Sequence, residues 1–186
     1  MPSGGHLSVA ERFAVAPAEQ VPIPPTTRRQ YITGIYAMNL HSADGPSGDW
    51  HDVYHWRVGI DQPRQVRLGG ERTDTNTNPI YGDWGVYDAR SILESKGLEI
   101  VPRGPVWAAD YYRAICDMLW HSLSRFGTVM NLDGATDDWL DTPAQKHMAL
   151  DAARLMRPAL PTADAKHALD RWISGEAVGR SKWLSI

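Results

Sequence analysis

The chain is short of the residues that build covalent or metal-held scaffolds. Its one cysteine, Cys116, among 186 residues excludes an internal disulfide framework and any multi-cysteine zinc knuckle. Basic residues are not in excess. With 19 Lys and Arg against 22 Asp and Glu, the formal charge is −3, which counts against a direct, non-specific nucleic-acid ligand. No apolar run approaches the roughly 18–20 residues that span a bilayer, so no membrane partner is expected. Neither the Gly-x4-Gly-Lys-Ser/Thr phosphate loop nor the nucleophile-elbow spacing occurs. The N-terminal stretch has no basic region followed by an apolar one. One thiol and no export signal make a reducing cytoplasm the expected compartment. Phenylalanine is scarce too, with two residues against eight Trp and seven Tyr, so much of the apolar surface carries a polar handle.

What is present divides the chain in two. Residues 1–30 hold five of the thirteen prolines and read as an extended arm, because proline fixes φ and removes a backbone donor. Residues 31–186 read as a single α+β domain, with 31–105 mainly strands and 106–175 mainly helices. Tyr31 to Leu40 is β-branched and aromatic and predicts a buried strand. From His51 to Ile60 the pattern has period two, with Tyr54, Trp56, Val58 and Ile60 on one face. Further strands are predicted at 65–68, 80–87 and 98–101. The polar run 71–79 predicts an exposed loop, and Asp88 caps a short helix over 89–96 that Gly97 closes. Three helices follow: 108–126 stopped by Gly127, one starting at Pro143 and ending near Arg157, and one capped by Thr162 and ending at Gly175. Strands before helices predict an antiparallel sheet covered on one face by about three C-terminal helices.

The densest reactive cluster is HSADGPSGDWH, residues 41–51, continued to His55. A metal site built from Asp44, Asp49 and His51 is the first reading to test by geometry. On a strand His51 and His55 share a face but stand roughly 13 Å apart, too far for one ion. Asp49 and His51 stand roughly 6–7 Å apart, which one divalent ion can span, with His41, Asp44 or Asp83 as third ligand. The alternative is a loop held by aspartates accepting backbone N–H bonds. Gly45 to Gly48 can form a small anion nest around Ser47. Asp83-Trp84 repeats the Gly-Asp-Trp triplet of Asp49-Trp50. Trp50, Trp84, Ser47, Arg28 and Arg29 are the candidate binding residues, although Trp84 reads as a core or sheet anchor ahead of a stacking platform. Cys116 reads as a small buried hydrophobe.

The residues Tyr36-Ala37-Met38-Asn39-Leu40-His41-Ser42, then Gly45, Ser47 to His51, then Tyr81-Gly82-Asp83-Trp84-Gly85, resemble a family of small bacterial proteins. These belong to toxin–antitoxin-like or defence operons, beside a nucleotidyltransferase-type toxin. The resemblance covers roughly residues 31–90 and carries no catalytic assignment. It implies an antitoxin, and the absence of a helix-turn-helix or basic ribbon-helix-helix implies neutralisation by protein contact. Three functions are then in play. The first is a non-enzymatic partner-binding protein with no cofactor, for which the arm and the Trp and Tyr content speak. The second is a metal-assisted hydrolase or nuclease whose catalytic residues are His41, Asp49, His51 and Asp83. The third is a structural component of a larger assembly.

Overall fold

Among the described residues, four strands of three residues each pair into a sheet with buried side chains on both faces. A computed structural model describes residues 20–40, 56, 65–101 and 103–179. The strands are β1 (Gln30–Ile32), β2 (Leu68–Gly70), β3 (Val86–Asp88) and β4 (Trp107–Ala109). They pair in the order β2-β1-β4-β3. β1–β2 and β3–β4 are antiparallel, but β1–β4 is parallel, so the sheet is mixed rather than purely antiparallel. The helices are α1 (Ile35–Met38), α2 (Asn78–Tyr81), α3 (Arg90–Ser95), α4 (Tyr111–Phe126), α5 (Ala135–Trp139), α6 (Pro143–Met156) and α7 (Ala163–Val178).

Alternation along the strands divides the core. Tyr31 and Ala109 belong to one buried cluster, with α4, α6 and α7. Their neighbours Ile32 and Ala108 belong to another, with Val21, Ile23, Tyr36, Trp56 and Leu93. Successive side chains on a strand point to opposite faces, so both faces of this sheet are covered, not one. The difference from the expectation comes from the N-terminal half itself. The Pro-rich segment from Val21, α1 and α3 supplies the second layer.

Caps account for the long helices. Asp110 accepts from Arg113 N at the start of α4, and Gly127 ends it at φ 69°. Thr142 and Gln145 form a reciprocal capping box at α6, with Pro143 at its first turn. Thr162 caps α7, which runs through Gly175 to Val178, beyond the expected end.

The first half departs further. Tyr31–Leu40 is not one strand: Gly34, at φ 63°, turns the chain after Thr33, and α1 follows. Residues 80–87 are likewise not one strand. Pro79 starts α2, Gly82 and Gly85 have positive φ, and only Val86–Asp88 is extended. The third strand is displaced from 65–68 to Leu68–Gly70, taking in the glycines expected to close it. Residues 98–101 form no strand. Within the loop 71–79, expected to be exposed, Thr75 and Thr77 are buried. The expected strand 51–60 lies outside the described residues except for Trp56, which packs edge-on to Tyr36. No helix among the described residues is long and apolar enough to cross a membrane.

Candidate partner-binding surface

Two charges buried in α4 organise the surface above them. Arg113 and Asp117 stand one turn apart, each with 0% of its side chain exposed. Arg113 Nε donates to Asp117 Oδ1 at 3.2 Å. Its Nη1 donates to the carbonyls of Trp84 at 2.8 Å and Gly82 at 3.3 Å, and its Nη2 to Asn78 Oδ1 at 2.8 Å. The guanidinium also lies 5.1 Å from the ring centres of Tyr31 and of Tyr81. Asp117 accepts from Thr33 Oγ1 at 2.7 Å and from Thr77 Oγ1. Burial pushes the Asp117 carboxyl above the usual carboxylate range, opposed by the Arg113 charge and the threonine hydroxyls. The segment from Asn78 to Gly85 is thus tied from below to one side chain of the central helix.

The same turn is closed by a tight approach. Asp110 N donates to Gly85 O at 2.7 Å. A Cβ on Gly85 would lie 2.8 Å from both Asp110 Oδ1 and Arg113 Cβ, and its φ is +72°. Glycine is required here on both counts. Burial raises the Asp110 carboxyl to about 6, against the opposing pull of the Arg113 N–H and charge. The folded chain therefore binds this proton more tightly than the unfolded chain does. Its contribution to stability is present below about pH 4 and is lost as pH rises through about pH 6. Asp110→Asn keeps a capping acceptor. It is expected to remove that part of the pH dependence in urea melts recorded from about pH 4 to 7; an unchanged profile would assign the slope elsewhere.

Above the clamp the turn builds one wall of an apolar groove of about 450 Å³. Ile80, Tyr81 and Trp84 line that wall, and Met148, Asp151, Ala152 and Leu155 of α6 line the other. Tyr81 Oη donates to the Ala152 carbonyl at 2.8 Å and joins the walls at the base. Tyr81 also packs beside Trp84, with ring centres 5.7 Å apart. α6 is apolar on two sides. Ala149, Leu150, Ala153 and Met156 face the core, whereas Met148 and Leu155 are 50% and 62% exposed. Trp84, across the groove, is 42% exposed. Burial of a helix needs one apolar stripe, so the second stripe has no role in the described fold.

Of the described residues selected from the sequence, Trp84 lines the groove, whereas Arg28, Arg29 and Asp83 lie outside that lining. Arg28 Nη1 stands 3.4 Å from Asp83 Oδ2, and its guanidinium stacks 4.3 Å from the centre of the Trp107 ring. Asp83 adjoins Trp84 in the turn. Arg29 pairs with Glu71 at 2.6 Å and accepts at its carbonyl from Asn78 Nδ2. His41, Asp44, Ser47, Asp49, Trp50 and His51 lie outside the described residues. Among the described residues, no group of three or more His, Cys, Asp or Glu side chains is placed to hold a metal ion. Cys116 is buried beside Tyr81, and burial pushes its thiol up to about 12. That setting suppresses the nucleophilic thiolate.

Sequence reasoning missed Arg113, Asp117 and the α6 stripe. The signal for the pair is the i, i+4 spacing of Arg113 and Asp117 around Ala114, Ile115 and Cys116, which makes a charged pair within an apolar run. No family model, curated protein or solved structure matches the chain.

Proposed function

We propose that this is a non-enzymatic partner-binding protein that seats an amphipathic helix of its partner in the Trp84–Leu155 groove. The observation carrying this reading is the exposed second stripe of α6 facing an exposed tryptophan, an arrangement fitted to helix-in-groove recognition. Among the described residues, Asp151 is the one charged side chain lining the groove, and it pairs with exposed Arg154 of the same helix. It selects a partner helix whose apolar face is flanked by a lysine or arginine. Such a cation replaces an exposed intrachain pair of small value with one desolvated by the bound helix. Within this reading, the resemblance over roughly residues 31–90 supplies the partner: a nucleotidyltransferase-type toxin encoded beside this chain and neutralised by direct contact.

Purification with and without the neighbouring gene product tests the proposal. A stable complex of the two chains is expected, and the chain alone is expected to run as a monomer. Absence of any complex counts against the reading. A homodimer broken by Leu155→Asp would instead make a second copy the occupant of the groove, and large homo-oligomers would favour a structural component.

A further inference from the structure

A cavity of about 730 Å³ opens elsewhere on the molecule, between α7 and the segment from Thr128 to Asp137. Its walls are held firmly. Trp172 Nε1 donates to the Leu132 carbonyl at 2.8 Å. The buried Glu176 carboxylate accepts from Gly134 N, Thr136 N and Thr136 Oγ1, which fixes the start of α5 against α7. Asp137 pairs with Lys146 of α6. These two acids are committed to the frame, and what the cavity offers an occupant is space and an apolar side built from Val129, Ala168 and Trp172.

Gly175 marks the open part of that space. It lies exposed inside α7 and lines the cavity. A Cβ there would meet no heavy atom within 4 Å, and its φ is not positive. Neither close approach within the described fold nor backbone conformation requires glycine, which weakens a helix interior. Such a position leaves room for a flat group laid across the helix. Exposed Arg171, one turn earlier on the same side of α7, lines the same cavity.

α7 delivers the chain to this rim. Gly179 lines the cavity, and its N–H donates to the carbonyls of Gly175 and Glu176. Its φ of 72° and ψ of 163° end the helix. A Cβ on it would stand 3.4 Å from both Asp137 Oδ2 and Lys146 Nζ, so the exit is fixed closely against α5 and α6. Residues 180–186 follow with the sequence RSKWLSI, in which Trp183, Leu184 and Ile186 are apolar. Gly175 lies four residues, or about 6 Å, back along the helix axis from Gly179. Trp183 lies four residues onward, a reach of up to roughly 13 Å for an extended chain.

We propose that residues 180–186 fold back along α7 and seat the Trp183 indole in this cavity, over Gly175 and beneath the Arg171 guanidinium. An indole has a large apolar area to bury, and its face attracts a guanidinium. The site is independent of the groove, and its test does not involve the partner.

The test labels the full chain with 5-fluorotryptophan and identifies the Trp183 fluorine resonance by its loss in Trp183→Phe. The readout is the shift of that resonance between H₂O and D₂O, which reports contact with solvent. A shift far smaller than that of free 5-fluorotryptophan is expected. Gly175→Met fills the open space with a better helix former. It is expected to bring the Trp183 shift up to the value of the free amino acid. The Trp84 resonance, assigned with Trp84→Phe, is expected to stay in place and the thermal melt to stay cooperative, which separates loss of docking from loss of fold. A Trp183 resonance that responds like the free amino acid in the wild-type chain would overturn the proposal. So would shielding that survives Gly175→Met, which would place the segment on another surface, or shielding lost on dilution, which would make a second copy its receptor.

Discussion

Arg113→Met is expected to destabilise the protein by about 3–5 kcal/mol, the largest effect of any single substitution considered. The substitution keeps most of the side-chain volume, so the loss is electrostatic rather than a cavity. It strands the Asp117 carboxylate, which has no exposure to water. It also removes the donors to the carbonyls of Gly82 and Trp84 and to Asn78 Oδ1. An unpartnered buried acceptor costs about 1–3 kcal/mol of desolvation. Lysine would not restore the arrangement, because a single ammonium group cannot reproduce the planar fork that reaches Asp117, Asn78 and two carbonyls together. Urea denaturation gives the value. Asp117→Asn in the Arg113→Met background should recover part of the loss, since it removes the stranded charge, keeps an acceptor for one of the Thr33 and Thr77 hydroxyls and offers the other an amide donor to accept from. A loss below about 1 kcal/mol would mean that the pair does not organise the turn.

Trp84→Ala is expected to weaken the complex with the partner by about 2–4 kcal/mol, roughly thirtyfold or more. Tryptophan at the centre of a desolvated contact carries a large share of binding energy. Trp84 is 42% exposed in the free chain, so its loss should change folding stability by only about 1 kcal/mol or less. Leu155→Asp should act similarly by a different route. It places a carboxylate one turn from Asp151 on the opposite wall of the groove, where an apolar partner face would bury it. Affinity falling while urea stability holds separates a contact role from a folding role. Loss of both together would make Trp84 a structural anchor.

The order of legibility follows the range of the interactions. The ends of the long helices depend on neighbours three or four residues away. Gly127 on α4, Thr142 on α6 and Thr162 on α7 act locally, and the α+β class could be read from the sequence; the start of α4 could not, since residues 108 and 109, expected in the helix, belong to β4 and Asp110 caps the helix behind them. The strands could not be bounded the same way. Each is only three residues long, too short for a period of two to declare itself, and each is delimited by turns such as those at Gly34, Gly82 and Gly85. The parallel β1–β4 pairing joins Ile32 to Ala108, a contact that no local pattern announces. The clamp was hidden for a related reason. Arg113 and Asp117 read as the polar side of an amphipathic helix, but α4 is enclosed between the sheet and α6 and α7, and that side is buried as well. The groove needed Trp84 and Leu155 side by side, from segments far apart in the chain. Of the candidate binding residues, Arg28 pairs with Asp83, the sequence neighbour of Trp84, but stacks on Trp107 and does not line the groove.

The central claim is that the Trp84–Leu155 groove contacts the partner. A photo-reactive benzophenone amino acid at Met148, in the groove, and at Ser174, exposed on α7 and outside that lining, tests it directly in cells co-expressing the neighbouring gene product. Adducts with that product are predicted from position 148 and not from position 174. A stable complex that cross-links at 174 but not at 148 would contradict the account.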